Sequence, residues 1–526
     1  MTVPGASSDA GAWLAEADRL HHAKQFTEAA AHYREALARD PSLFDAWYGL
    51  GFAQGTVGEH GDAVEALRRA LALNPNATRL RINLAEALFA LGRVSDALRE
   101  YDRAATEGDS ATRDLAARNR ACLAPGDPAY DNQAILTARL DWAEEQARGV
   151  RPMRHLGWHP GRQLKIGYYG TFFGDPNWMK MYMGVINAHD RDRFEVNLIV
   201  DGDVPSAKAG YRDHPDDRIW EVDGVSNEDL AGHIAEAKLD VLIDLNGYSH
   251  QARMGLLPYR AAPVQIAWNG MYATTGFASV DCLIGDAAVI PPEEERFCVE
   301  RVRRVPHTYL AFDMFYPTPE PAPAPFAHVG HVTFGALVSA YKVTDAVVAS
   351  WSRILHGVPD ARLLLRNRGL GRASNRADIL ARFAANGIGP ERLTLEGGGA
   401  HDDFLRTYER IDIALDTFPY SGATTTAEAI WQGVPVLTFD GGRWVSRTSR
   451  SILAAAGLME WVASDQAGYE ALAVRMARAP EALAAIRPNL RARVARSPAC
   501  DTKGLCLALE TIYREEVAAK AGQEFA

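Results

Sequence analysis

Along the first hundred residues, apolar side chains return every three or four positions, and the whole pattern then returns at a longer interval. Trp13, Ala29, Tyr33, Ala36 and Pro41 recur as Trp47, Ala63, Leu67, Ala70 and Pro75. A third copy supplies Arg81, Ala97, Tyr101 and Ala104 without the closing proline. Small alanines let paired helices approach, large residues fill the space between them, and each proline ends a copy. A helical connector follows, with an apolar rhythm from Ala134 that ends near Gly149. From Leu164 the pattern changes to short apolar runs separated by helical stretches. Leu164-Lys-Ile-Gly-Tyr-Tyr, Phe194-Glu-Val-Asn-Leu-Ile-Val, Val241-Leu-Ile-Asp-Leu, Val264-Gln-Ile-Ala-Trp and Cys282-Leu-Ile predict strands, with a helix from Asn227 before the third. Alternation of this kind predicts a parallel sheet covered on both faces.

Prolines at 317, 319, 321, 323 and 325 predict a stiff, extended linker. A second αβ series begins at Val332-Thr-Phe-Gly and runs through Ala361-Arg-Leu-Leu-Leu-Arg, Leu393-Thr-Leu, Ile411-Asp-Ile-Ala-Leu and Val434-Pro-Val-Leu-Thr-Phe. The predicted organisation is therefore helical repeats over 1–110, a connector over 111–162, two doubly wound Rossmann-like α/β domains over 163–316 and 327–500, and a C-terminal helix over 501–526. In such folds ligands bind at the carboxyl ends of the strands. The 34-residue step of the repeats is the period of tetratricopeptide helix pairs. Three copies are near the minimum that buries a shared core, so they are expected to lean on the next domain. Such stacks usually present a groove to a protein partner; a stack this short can also brace the catalytic part or pair two copies.

Composition narrows the classes. With 526 residues, 47% hydrophobic and 23% charged, the chain has a globular composition. A net charge of −11 argues against a broad nucleic-acid surface, and Arg301-Val-Arg-Arg is too short a basic patch to reverse that. The five cysteines form no CxxC pair, which favours reduced thiols over disulfides or a zinc site. No apolar run is long enough to span a membrane and no signal peptide is visible, so a cytoplasmic location is expected.

The chemistry concentrates in Asp416-Thr-Phe-Pro-Tyr-Ser-Gly-Ala-Thr-Thr-Thr-Ala-Glu428. A strand ends at Leu415, a turn passes through Pro419, Ser421 and Gly422, and Thr424, Thr425 and Thr426 open a helix. Three hydroxyls beside free amides at the positive end of a helix dipole make a seat for a diphosphate. Glu428, one turn further in, is placed to accept bonds from a ribose diol. The alternative is an ordinary threonine N-cap. Asp201-Gly-Asp203 after a strand has the form of a metal-binding pair, but Asp-Gly is also a common turn. The glycines at 369–371 and 397–399 lack the GxGxxG context of a dinucleotide fold.

The stretch from Asp416 to Thr438, with Ser446-Arg447 and Gly457-Leu458, resembles the bacterial relatives of O-linked N-acetylglucosamine transferase, the SPINDLY-like family. Asp244-Leu-Asn-Gly-Tyr-Ser, Ala262-Pro-Val-Gln-Ile-Ala-Trp and Val305-Pro-His-Thr-Tyr are similar to its first catalytic half. The resemblance implies a GT-B glycosyltransferase that is inverting, needs no metal or cofactor, and moves a sugar from a nucleotide donor to a protein side chain. By default the donor is UDP-N-acetylglucosamine and the acceptor a Ser or Thr hydroxyl. It implies that Thr424, Thr425 and Thr426 touch the donor phosphates and Glu428 the ribose. Lys342 would steady the leaving diphosphate, and Ser339, Tyr341, Gly422 and Ala423 would share the nucleotide-sugar site.

The chain also departs from that pattern. Pro176 stands about where the family carries the His of a His-Pro pair, with Trp178 close behind; Ser339 replaces a common glutamine, and Tyr248 a common His. These positions bear on sugar and acceptor, which leaves other readings open: another donor such as GDP-fucose, a flagellar or surface protein as acceptor, or a tetratricopeptide scaffold without activity. Candidates for a base are Asp175, Asp244, His250 and His307, with Asp244 and His307 ranked first.

Overall fold

The computed structural model describes residues 6–155, 162–249, 253–270 and 272–524. Seven helices come first: α1 (Ala6–His22), α2 (Phe26–Arg39), α3 (Phe44–Thr56), α4 (His60–Leu73), α5 (Thr78–Ala90), α6 (Val94–Glu107) and α7 (Ser110–Leu123). They pack as antiparallel pairs, and α7 continues the stack against α5 and α6. The recurring alanines and Tyr33, Leu67 and Tyr101 form the buried seam. At Gly49 an added Cβ would run into the Tyr33 ring, so the small residue permits the close approach of α3. The turn inside each of the first three helix pairs uses one left-handed residue at the same register: Lys24 (φ 58°), Gly58 (φ 83°) and Gly92 (φ 81°).

Next come α8 (Asn132–Ala147) and a seven-stranded sheet built of β1 (Leu164–Gly170), β2 (Phe194–Val200), β3 (Arg218–Glu221), β4 (Val241–Asp244), β5 (Val264–Ala267), β6 (Cys282–Gly285) and β7 (Arg301–Arg304). The strands are parallel, in the order β3-β2-β1-β4-β5-β6-β7. Chain order reverses between β1 and β4, where a doubly wound sheet opens its ligand crevice. Short helices α9 (Pro176–Met179), α10 (Met183–Ala188), α11 (Asn227–Glu236) and α12 (Phe326–Val329) complete this stretch.

The second αβ series contains β8 (Thr333–Ala336), α13 (Asp345–Gly357), β9 (Arg362–Arg366), α14 (Ala373–Ala384), β10 (Leu393–Glu396) and α15 (His401–Arg406). It continues with β11 (Ile413–Leu415), α16 (Thr424–Trp431), β12 (Val436–Phe439), α17 (Thr448–Ala455) and β13 (Val462–Ala463), then α18 (Gln466–Ala477), α19 (Pro480–Ala495) and α20 (Thr502–Glu524). Strands β8, β9 and β10 pair in parallel, as do β11, β12 and β13. The expected class, a helical repeat region followed by two parallel-sheet α/β regions, is the one observed.

Two compact units make up the chain: one runs to Ala129 and resumes over His331–Phe404, and the other joins Tyr130–Gly330 to the chain from Leu405. Within the first, the repeats lean on the 331–404 segment, which is part of the second αβ series rather than of the connector and first αβ domain that follow them in sequence. Asn375 of α14 donates to Gly58 O at 2.9 Å and accepts from Gly61 N at 3.0 Å. Arg382 donates to Leu91 O at 3.0 Å and to Val343 O at 2.6 Å, and Arg93 pairs with Asp378. Within the second, α20 packs on α10. The proline linker is a fastened strap there: Arg487 of α19 donates to Ala322 O, Ile411 O and Tyr408 O, and Trp431 Nε1 donates to Thr318 Oγ1 at 3.1 Å.

Candidate functional site

The helix opened by the three threonines is α16, and its N-cap is Ala423, which offers no side-chain acceptor. The ordinary threonine cap is therefore not made. The first bond of the helix runs from Ala427 N to Ala423 O, so the amides of Thr424, Thr425 and Thr426 precede the helical ladder. Thr424 and Thr425 are half-buried and Thr426 is buried. The turn before the helix is held from behind. Asp416 accepts from Thr417 N at 2.9 Å, Gly422 N at 2.7 Å and Thr438 Oγ1 at 2.8 Å. Ser449 Oγ lies 2.8 Å from Thr426 Oγ1 and donates to Gly422 O at 3.0 Å. A Cβ at Gly422 would strike Thr426 Oγ1, which is why the turn needs glycine. This is a rigid, polar helix N-terminus suited to an anion.

Glu428 lies behind that surface. Its side chain is 1% exposed and its carboxylate pairs with the Lys180 ammonium, itself fully buried. Tyr316 OH donates to Glu428 Oε1 at 3.4 Å. Lys180 Nζ also donates to Asn177 Oδ1 at 2.6 Å and sits 5.5 Å from the Tyr316 ring centre. Desolvation pulls the Lys180 pKa below its ordinary value against the opposing pull of Glu428. The carboxylate expected at a ribose thus has protein partners. Lys180 was not singled out by sequence; its loop follows β1, where the His-Pro pair is missing.

The four candidate bases are placed differently. Asp175 caps α9, accepting from Asn177 N at 2.8 Å. Asp244 ends β4 and accepts from Asn246 N at 2.8 Å and Gly247 N at 3.3 Å, a loop cap. Burial pushes its carboxyl up to about 6, against an ordinary 3.8, which is also the range a general base uses. His307 is exposed, in the loop after β7, with φ 64°. Its neighbours are pinned: Ser451 Oγ donates to Asp286 Oδ2 at 2.6 Å and lies 2.7 Å from Thr308 Oγ1, and Tyr309 OH lies 3.2 Å from Thr448 Oγ1. His250 lies outside the described residues. Asp201 accepts from Arg253 Nε at 2.7 Å and Tyr169 OH at 3.1 Å, so a guanidinium occupies the first carboxylate of the Asp-Gly-Asp turn.

Three further residues of this unit belong to the site's surroundings. Asn246 Oδ1 accepts from Thr171 N at 3.0 Å across the β1/β4 switch point, and its buried Nδ2 has no hydrogen-bond partner among the described residues. Tyr272 is left-handed (φ 53°), an outlier for a bulky residue, and its ring lies 5.1 Å from that of Tyr420 in the turn before α16. Ser449 was foreshadowed only by the hydroxyl-rich run Ser446-Arg-Thr-Ser-Arg-Ser451.

In the other unit, Lys342 and Tyr341 lie in a short 3-10 turn after β8, preceded by the exposed Ser339. Lys342 N donates to Ser339 O at 3.0 Å. The Tyr341 ring stacks on Phe89 of α5, centroids 4.8 Å apart, so this residue touches the repeats. Through Val343, Arg382 fastens the Lys342 turn to the same repeat helix pair.

Comparison with known proteins bears on these features. The model of glycosyl transferase family 41 matches residues 152–317 and 329–509, and tetratricopeptide models match 17–58 and 57–118. A probable UDP-N-acetylglucosamine–peptide N-acetylglucosaminyltransferase SPINDLY of Petunia hybrida is 32% identical over 363 residues, 68% of this chain and 39% of that protein. Its counterpart in Arabidopsis thaliana is 30% identical over 72% of this chain and 42% of its own length. The chain thus spans about two fifths of the length of these plant relatives. A solved structure of a lysine-to-methionine mutant of Thermobaculum terrenum O-GlcNAc transferase superposes with a TM-score of 0.83 at 28% identity, covering all of both chains.

Proposed function

The chain belongs to glycosyl transferase family 41 and is a glycosyltransferase, and from that premise we propose that it transfers N-acetylglucosamine from a UDP-linked donor to Ser or Thr hydroxyls of a protein. The observation that supports this most is the N-terminus of α16: uncapped by Ala423, braced by Asp416 and Ser449, and lined by Thr424 and Thr425. Negative charge grows on the diphosphate as the glycosidic bond breaks. The N-terminus of α16 stabilises it without a divalent metal; the role of Lys342 in steadying the leaving group is carried over from the family resemblance. Gly422 keeps the turn narrow enough for the helix amides to do this.

The acceptor attacks from the opposite face of the sugar, so the anomeric configuration inverts. Its proton passes to a base of the first sheet, His307 or Asp244, late in the displacement. The repeats bring the protein acceptor to the site through their groove. Replacing Lys342 by Met is the test. Turnover is expected to fall by about 100-fold or more while the fold and nucleotide binding persist. Turnover within a few-fold of the parent removes Lys342 from the mechanism. Parallel arms with GDP- and CMP-linked sugars decide whether the departures around Pro176 and Trp178 have changed the donor.

A further inference from the structure

Three donor atoms of different chemistry converge where the C-terminal helix meets the first sheet. His189 follows α10, and Cys506 and Glu510 lie one turn apart on one face of α20. His189 Nδ1 is 2.9 Å from Glu510 Oε1 and 3.3 Å from Cys506 Sγ, and Sγ is 3.7 Å from Oε1. All three side chains are buried. Glu510 Oε2 has no hydrogen-bond partner among the described residues, although a buried carboxylate oxygen left unpaired is costly.

A point equidistant from the three donor atoms lies about 1.9 Å from each, and a small displacement out of their plane brings this to the ~2.0–2.3 Å of zinc ligation. Imidazole, thiolate and carboxylate together form a borderline-soft set that suits zinc. The surroundings have the form of an outer shell. His189 Nε2 is 2.7 Å from Tyr168 OH, which lies 3.1 Å from Tyr513 OH, so the ring can carry its proton on Nε2 and leave Nδ1 for a metal. Asp190 N donates to Glu510 Oε1 at 3.2 Å and orients the carboxylate.

We propose that His189, Cys506 and Glu510 hold a structural zinc ion that fastens α20 to the first sheet, apart from the transfer chemistry. Zinc takes the place of the thiol proton, which leaves to solvent as the Zn–S bond forms, and Glu510 Oε2 gains a partner by bidentate ligation.

The test uses the full chain, incubated with zinc sulfate, desalted and analysed for metal by mass spectrometry. About one zinc per chain is expected, falling to background in Cys506→Ser and His189→Gln. Cobalt chloride added to the metal-stripped parent is expected to give a thiolate-to-cobalt charge-transfer band that Cys506→Ser lacks. If the variants fail to fold, the parent's stoichiometry and cobalt spectrum still decide. A parent that retains no zinc after loading overturns the proposal and leaves a hydrogen-bonded cluster. So does zinc retained equally by folded Cys506→Ser, or cobalt bound without the thiolate band.

Discussion

Replacing Lys180 by Met leaves the Glu428 carboxylate buried without its cation. Lys180 is fully buried and Glu428 is 1% exposed, so neither charge can recover water by a local adjustment. Removing one member of such a pair costs about 3–5 kcal/mol, whereas replacing both by uncharged groups of similar size is close to neutral. Lys180→Met also strips the 2.6 Å bond from Asn177 Oδ1, adding about 1 kcal/mol. The expected set is therefore a loss of about 4–6 kcal/mol in Lys180→Met, about 3–5 kcal/mol in Glu428→Gln, and recovery of most of it in the double variant.

Urea unfolding of the four proteins measures this, using a transition common to all of them because a chain of several domains need not unfold in one step. Nucleotide affinity should follow the same cycle. An uncompensated carboxylate behind α16 repels a diphosphate, so binding weakens in Lys180→Met and returns in the double variant. Single losses below about 1 kcal/mol, or a double variant that loses the sum of the singles, would refute the ion-pair reasoning. A double variant that folds but no longer binds nucleotide would mean that Glu428 contacts the ligand directly.

Lys24 occupies the left-handed turn position that Gly58 and Gly92 fill in the next two repeats. Lys24→Gly should stabilise the repeats by about 1 kcal/mol, and a lower unfolding midpoint would contradict this. Asp244, with its carboxyl raised to about 6, binds its proton more tightly folded than unfolded. Its contribution to stability is present below about pH 4 and is lost as pH rises to about 6, roughly 3 kcal/mol in all. The stability difference between the parent and Asp244→Asn should change by about that amount across this window; a difference independent of pH would mean that the carboxyl is not desolvated. Arg487→Ala frees the carbonyls of Ala322, Ile411 and Tyr408 and should cost about 3 kcal/mol or more. Arg487→Lys should rescue little of this, since a point charge cannot span three carbonyls; full rescue would argue for charge alone.

Local patterns made the repeats, the strands and the turn before α16 legible: a 34-residue step, buried apolar runs, and hydroxyls at a helix start. The partners of Glu428 were not legible. Lys180 lies 248 positions away, and only the folded chain brings the loop after β1 to α16. The prolines at 317–325 predicted stiffness but could not reveal that Arg487 and Trp431 fasten them. The stacking of Tyr341 on Phe89 is not legible either, since no local pattern links a repeat residue to the Lys342 turn. Scattered cysteines argued against a zinc site because ligand spacing is informative only when ligands are neighbours in sequence. His189 and Cys506 are brought together from positions 317 apart.

The most direct measurement is mass spectrometry of acceptor proteins incubated with the purified full chain and UDP-N-acetylglucosamine, beside Lys342→Met. The prediction is N-acetylhexosamine added to Ser or Thr side chains by the parent and nearly abolished in the variant. No transfer from UDP-, GDP- or CMP-linked sugars, with no binding of the nucleotides themselves, would contradict the placement of a donor diphosphate at Thr424 and Thr425.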